Sequence, residues 1–106
     1  MQDILTNIIT HKRLEVERMK QAVSPKELER QLQAASLPPC RSMKQALLNS
    51  PTGIIAEFKR RSPSKGWMKR EAVPGVIAPA YERAGASARS VLTDETFFGG
   101  TLEDLR

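Results

Sequence analysis

The 106 residues suffice for one domain with a modest core, and 40% hydrophobic with 27% charged residues is an ordinary soluble composition. No apolar run approaches the roughly 20 residues that cross a bilayer, and the start MQDILTNIITHKRLEVERMK lacks both the apolar centre of a secretory signal and the acid-poor make-up of a transit peptide. The net charge of +5 resides in one stretch, where Lys59, Arg60, Arg61, Lys65, Lys69 and Arg70 gather without an acid; that suits a local anion site better than a nucleic-acid face, which spreads cations over many phosphates.

Residues 3–22 place Ile4, Leu5, Ile8, Ile9, Val16 and Met19 mostly three and four apart, which predicts an amphipathic helix. His11 lies on it without a cysteine or histidine partner, so no metal site is expected there. Such a helix could bind a membrane surface or a partner, but intramolecular packing is its commoner fate. Ser24-Pro25-Lys26-Glu27 opens a second helix that runs to about Ala35: the serine caps, proline suits the first position, and Glu27 can complete a capping box. Leu37-Pro38-Pro39-Cys40 breaks it. The single cysteine makes no internal disulfide, so a reducing cytoplasm is expected; no motif supplies it with a histidine base, so it reads as a packing residue.

A second capping pattern, Ser42-Met43-Lys44-Gln45, opens a short helix over Met43–Leu48, closed by Asn49-Ser50-Pro51-Thr52-Gly53. Residues 54–58 are β-branched and aromatic after a turn and predict a strand. A loop over 60–71 follows, then a helix over 73–84, in which Pro79 demands a later start or a kink. Residues 87–92 predict another strand and 93–100 its loop, and Thr101 with Asp104 can cap a final helix. Strand, helix and strand in that order imply parallel neighbours with a right-handed crossover. Two parallel strands alone make a poor sheet, because parallel sheets lie buried on both faces; the pattern reads as the opening of something larger.

Alternation along the first strand puts Ile55, Glu57 and Lys59 on one face and Ile54, Ala56 and Phe58 on the other. The apolar set wants a helix layer. The other set brings a carboxylate and an ammonium to the strand's C-terminal end, where α/β folds bind ligands. An exposed ion pair on an edge strand fits the same spacing. The loop Arg60 to Gly66 offers cations, hydroxyls and a glycine to a phosphate or carboxylate, although it matches no nucleotide-binding glycine motif. A solvated basic loop, a kinase site (R-R-S-P) and a basic targeting patch remain alternatives. Trp67 is expected in the core, and Phe97-Phe98 is well placed to border a ligand.

EFKRRSPSKG resembles the first-strand signature of the indole-3-glycerol-phosphate synthase family, and SVLTDETFFGGTLEDL resembles that family's second βα unit. The two motifs stand in the family's order and separation, and the preceding helices are similar too. The resemblance implies an α/β fold: a helical extension over residues 1–50, then the first two βα units of a (β/α)8 TIM barrel over 51–106, with the barrel incomplete in this chain. It implies a cytoplasmic carbon–carbon lyase (carboxy-lyase) of tryptophan biosynthesis. The reaction closes the indole ring of 1-(2-carboxyphenylamino)-1-deoxyribulose 5-phosphate, expelling CO2 and water without cofactor or metal. Carried over by position, Lys59 contacts the substrate's anionic groups and stabilises charge, and Glu57 orients the catalytic lysines. Ser62 and Pro63 line the mouth, Ser90, Leu92 and Phe98 wall the aromatic ring, and the N-terminal helices pack across the barrel's catalytic end. Arg60, Arg61 and Lys65 are expected to steer the doubly anionic substrate.

A family lysine on the third strand, a further glutamate and the phosphate loops fall beyond Arg106, so these 106 residues alone are expected to be inactive. Unpaired strand edges are expected to drive self-association. Arg89, where the family has an apolar residue, faces the helix layer and needs a partner or an exit to solvent. No nucleic-acid or membrane partner is expected. The rival class is a small basic helical module that binds nucleic acid or an acidic partner.

Overall fold

The local signals act as start and stop points. The computed structural model describes residues 3–106. Helix α1 spans Ile4–Ala22, and the Asp3 carboxylate accepts the Thr6 N–H at 2.7 Å. Helix α2 spans Pro25–Ala34, with the Ser24 hydroxyl accepting from the Glu27 N–H at 3.2 Å. The Glu27 carboxylate turns forward to Arg30 (2.6 and 2.9 Å) and Gln31 (3.1 Å) rather than back to the cap. Residues 1–40 and 41–106 form two separate compact units. No helix among the described residues is long and apolar enough to cross a membrane.

The second unit opens with α3 (Met43–Leu48), capped by Ser42, whose hydroxyl accepts from the Gln45 N–H at 3.1 Å. Strand β1 (Ile55–Phe58) pairs in parallel with β4 (Ala88–Val91), in the register Ile55 to Ala88, Glu57 to Ser90 and Phe58 to Val91. Helix α4 (Pro74–Arg83) makes the crossover. Pro79 sits inside α4 without ending it, so the helix needs no later start. As the sixth helical residue, it forfeits one early hydrogen bond, to the Gly75 carbonyl.

The 60–71 segment was expected to be irregular. It contains a two-residue hairpin, β2 (Arg61–Ser62) antiparallel to β3 (Gly66–Trp67). The Arg60 carbonyl continues it by accepting from Met68 N–H at 2.9 Å. After β4, a tight turn closes through Gly100 N–H to Asp94 carbonyl (2.7 Å) and Phe97 N–H to Asp94 carboxylate (2.8 Å). Gly100 is compulsory there, because a Cβ would stand 1.9 Å from the Leu92 carbonyl oxygen. A 3-10 helix, η1 (Leu102–Leu105), follows, with the Asp104 carboxylate accepting the Thr101 N–H at 3.0 Å.

Helix α4 packs on both parallel strands and covers the face carrying Ala56, Phe58, Arg89 and Val91. Phe58 is accordingly buried, 3% exposed. Arg89 points to α4 as the alternation requires, and its guanidinium meets the Glu82 carboxylate at 3.7 Å at the half-open edge. The packing problem raised by an arginine on this face is therefore met by pairing. The opposite face is bare: Ile55 is 49% exposed. Buried hydrophobic residues among the described positions are limited to Phe58 and Ala72, while Val76, Leu102 and Leu105 are all more than 60% exposed. A sheet with one covered face and two free edges lacks the second layer that parallel strands require.

Candidate active site

Both parallel strands deliver their ends to one place. The Leu92 N–H donates to the Phe58 carbonyl at 3.0 Å, so the chain leaves β1 and β4 side by side at the C-terminal edge of the sheet. Glu57 lies on the open face of β1, opposite Ser90 in register, and Lys59 is the first residue past the strand end. The Lys59 Nζ and Glu57 Oε1 approach to 3.9 Å, so both side chains point to the same side, as alternation demands. Both are more than a third exposed, and an ion pair of that length and exposure adds little stability. Its interest is therefore positional: an ammonium is held beside a carboxylate at a bare strand end.

The remaining candidates divide between two loops. Ser62 and Pro63 sit in the hairpin after β1. Ser62 is buried, 6% exposed, and its hydroxyl accepts the Lys65 N–H at 3.1 Å and lies 3.4 Å from the Ser64 hydroxyl. That hydroxyl shapes the turn, and its burial removes the kinase-site reading of R-R-S-P at this serine. Pro63 is half-buried. Leu92 and Phe98, both half-buried, flank the turn after β4. Trp67 is not in the core. It is 43% exposed, with its ring covered by Arg70 at 4.5 Å and Arg61 at 5.6 Å, which satisfies an aromatic face by cation–π contact instead of burial.

The basic loop is more committed than its charge suggests. Arg60 lies with its guanidinium 5.2 Å from the centre of the Phe58 ring and donates from Nε to the Ala72 carbonyl at 2.9 Å. It also donates to the Gly99 carbonyl (3.3 Å) and grips the Asp104 carboxylate with both terminal nitrogens, at 2.8 Å for the Nη2–Oδ1 arm. The two side chains are only 15% and 10% exposed. Arg60 therefore ties the β1 loop to the β4 loop and η1, and its guanidinium is committed to these contacts rather than to the steering expected of it. Arg61 Nη1 donates to the Thr96 carbonyl, so part of its capacity also serves the loops. Nothing local in the sequence pairs Arg60 with Asp104, which stand 44 residues apart.

This pairing has a pH signature. The Arg60 hydrogen bonds hold the Asp104 carboxyl below its usual range, and the same bonds raise the Arg60 guanidinium. A carboxyl whose folded pKa is depressed contributes stability that is present above its unfolded pKa and lost as pH falls through the folded one. Unfolding titrations should therefore show a stability loss beginning near pH 4 that Asp104→Asn removes; identical acid limbs for the two proteins would contradict the assignment.

The family model described as indole-3-glycerol phosphate synthase matches residues 5–106. The indole-3-glycerol phosphate synthase of Bacteroides thetaiotaomicron is 58% identical over the whole of this chain. The chain belongs to the indole-3-glycerol phosphate synthase family. The family enzymes of Prochlorococcus marinus and Crocosphaera subtropica are 42% and 43% identical over 98% and 96% of the chain. The chain spans only 40% of the length of the Bacteroides relative and 35% of the other two. Indole-3-glycerol phosphate synthases are of TIM-barrel type, and an α/β chain with a short parallel sheet fits part of such a barrel. Family membership also leaves the rival reading, a basic module for nucleic acid or an acidic partner, without support.

Proposed function

We propose that these residues supply the N-terminal helices and first two βα units of an indole-3-glycerol phosphate synthase. The substrate would be 1-(2-carboxyphenylamino)-1-deoxyribulose 5-phosphate, converted without a cofactor to indole-3-glycerol phosphate, CO2 and water. The supporting observation is the convergence of Lys59 and Glu57, 3.9 Å apart, on the uncovered side of a parallel strand end. In a barrel that side faces inward and that end carries the active site.

The chemistry fits an ammonium there. In ring closure the aromatic carbon attacks the ketose carbonyl, and negative charge gathers on its oxygen. A positioned ammonium stabilises that charge without reorganising at the moment of reaction. Before the step, the same cation attracts the substrate's carboxylate. Glu57, 3.9 Å from the ammonium, directs the lysine. Ser90, in register with Glu57, together with Leu92 and Phe98, offers a small polar and apolar wall for the aromatic ring. Ser62 acts through the shape of the hairpin, and Pro63 stands at its mouth.

Two consequences belong to the 106 residues by themselves. They are expected to be inactive, because Glu57 and Lys59 by themselves do not supply every acid and base step of ring closure and dehydration. They also self-associate, since the free strand edges and exposed Ile55, Val76, Leu102 and Leu105 favour pairing with another copy. Light scattering at micromolar concentration should give a mass above that of the 11.8 kDa monomer; a monodisperse monomer would contradict this.

The function is tested in the completed chain, meaning these residues continued by the remaining segment of the Bacteroides relative. It should form indole product from the substrate, whereas a nucleic-acid module would instead bind RNA or DNA with a steep salt dependence.

A further inference from the structure

The ring of Trp67 rests on Gly99. A Cβ built on Gly99 would lie 2.9 Å from two carbons at the tip of the indole, Cη2 and Cζ3, and 3.4 Å from the Arg61 Cβ. The two 2.9 Å distances are shorter than side chains tolerate, so the missing Cβ is what lets the ring seat where it does. Trp67 belongs to the β2–β3 hairpin, directly across from Arg61, and that hairpin carries Ser62 and Pro63. Gly99 belongs to the turn after β4, next to Phe98. The contact thus joins the two loops that hold the proposed substrate-lining groups. Arg61 and Arg70 both lie over the ring, and Arg61 also reaches the Thr96 carbonyl in the same turn.

We propose that Trp67 and Gly99 form a clasp that sets the spacing between the Ser62–Pro63 hairpin and Phe98, and that both are positioning residues for the proposed reaction. This inference rests on the reading of the site given above. The physical reason is that reactions relying on placed charge and a fixed aromatic wall lose rate when one wall shifts by about an ångström. Seating the ring against a Cβ would require a shift of that order. Neither residue touches the reacting atoms, so the effect should fall on turnover rather than on substrate binding.

The test uses the completed chain and compares Gly99→Ala with Gly53→Ala. Both glycines have positive φ, +64° and +60°, so both substitutions carry the same backbone strain, but nothing lies within 4 Å of a Cβ at Gly53. Gly99→Ala should lower kcat by about tenfold to a hundredfold with KM little changed, and Gly53→Ala should leave kcat as it was. Trp67→Phe should retain more turnover than Trp67→Ala. In the Trp67→Ala background, adding Gly99→Ala should cost no more in unfolding midpoint than Gly53→Ala does, because the clash is gone. The clasp is overturned if Gly99→Ala and Gly53→Ala behave alike, or if the Gly99 and Trp67 effects add in full. Lys59→Ala judges the site separately. If that variant keeps full turnover, the reading of the site falls and the positional role falls with it, while the midpoint comparison still decides whether the contact exists.

Discussion

Replacing Lys59 by alanine in the completed chain should lower kcat by about 100- to 1,000-fold, the usual cost of losing one preorganised group that stabilises transition-state charge. Lys59 follows a strand whose other face is sealed by α4, and its ammonium has turned to the open face beside Glu57. The exposure of both groups means that folding gains little from the pair. A substitution there should thus leave the unfolding midpoint almost unchanged while removing activity. Lys59→Arg restores the charge but not the compact ammonium and should recover only part of the rate. Glu57→Gln should cost less than Lys59→Ala, since it loosens the lysine without removing it. A Lys59→Ala enzyme that retains more than a tenth of its turnover would contradict the role assigned to this residue.

The second large effect runs the other way, through stability. Arg60→Ala should destabilise the completed chain by about 2–3 kcal/mol, short of the cost for a fully buried ion pair because Arg60 and Asp104 are part-buried. The substitution takes the Arg60 donors from Asp104, whose side chain is 10% exposed, and from the carbonyls of Ala72 and Gly99. Replacing both charged partners with apolar residues of similar volume, Arg60→Met with Asp104→Leu, should recover much of the loss, because neither charge then remains unpaired. Urea unfolding separates the cases. A loss below about 1 kcal/mol for Arg60→Ala would class the pair with ordinary surface bridges. The contrast between adjacent residues is informative: Lys59 and Arg60 are neighbours with like charge, yet one faces the bare side of the sheet and the other is enclosed by two loops.

Much of this arrangement was legible because its signals are local. Caps at Ser24, Ser42 and Thr101 mark helix starts through hydrogen bonds three residues long. Period-two alternation gave the faces of both strands, including the direction of Arg89 toward α4 and the shared side of Glu57 and Lys59. The hairpin Arg61–Ser62 with Gly66–Trp67 was not legible, since two-residue strands contain no period. Trp67 was misplaced because large apolar area usually goes inside; here two guanidinium groups cover it instead. The bond from Arg60 to Asp104 was hidden by its 44-residue separation, and each partner already had a plausible local task, one in a basic loop and one in a cap. At the site, the charged pair could be read from alternation alone, whereas the roles of Ser62 and Gly99 depend on which loop lies against which.

The decisive measurement is the appearance of indole fluorescence when the completed chain is mixed with 1-(2-carboxyphenylamino)-1-deoxyribulose 5-phosphate, with residues 1–106 alone as the parallel sample. Product from the completed chain, none from the shorter one, and a collapse of the rate on Lys59→Ala are expected. A completed chain that folds, as judged by a cooperative unfolding transition, yet forms no indole product would contradict the assignment of this strand end as part of a ring-closing site.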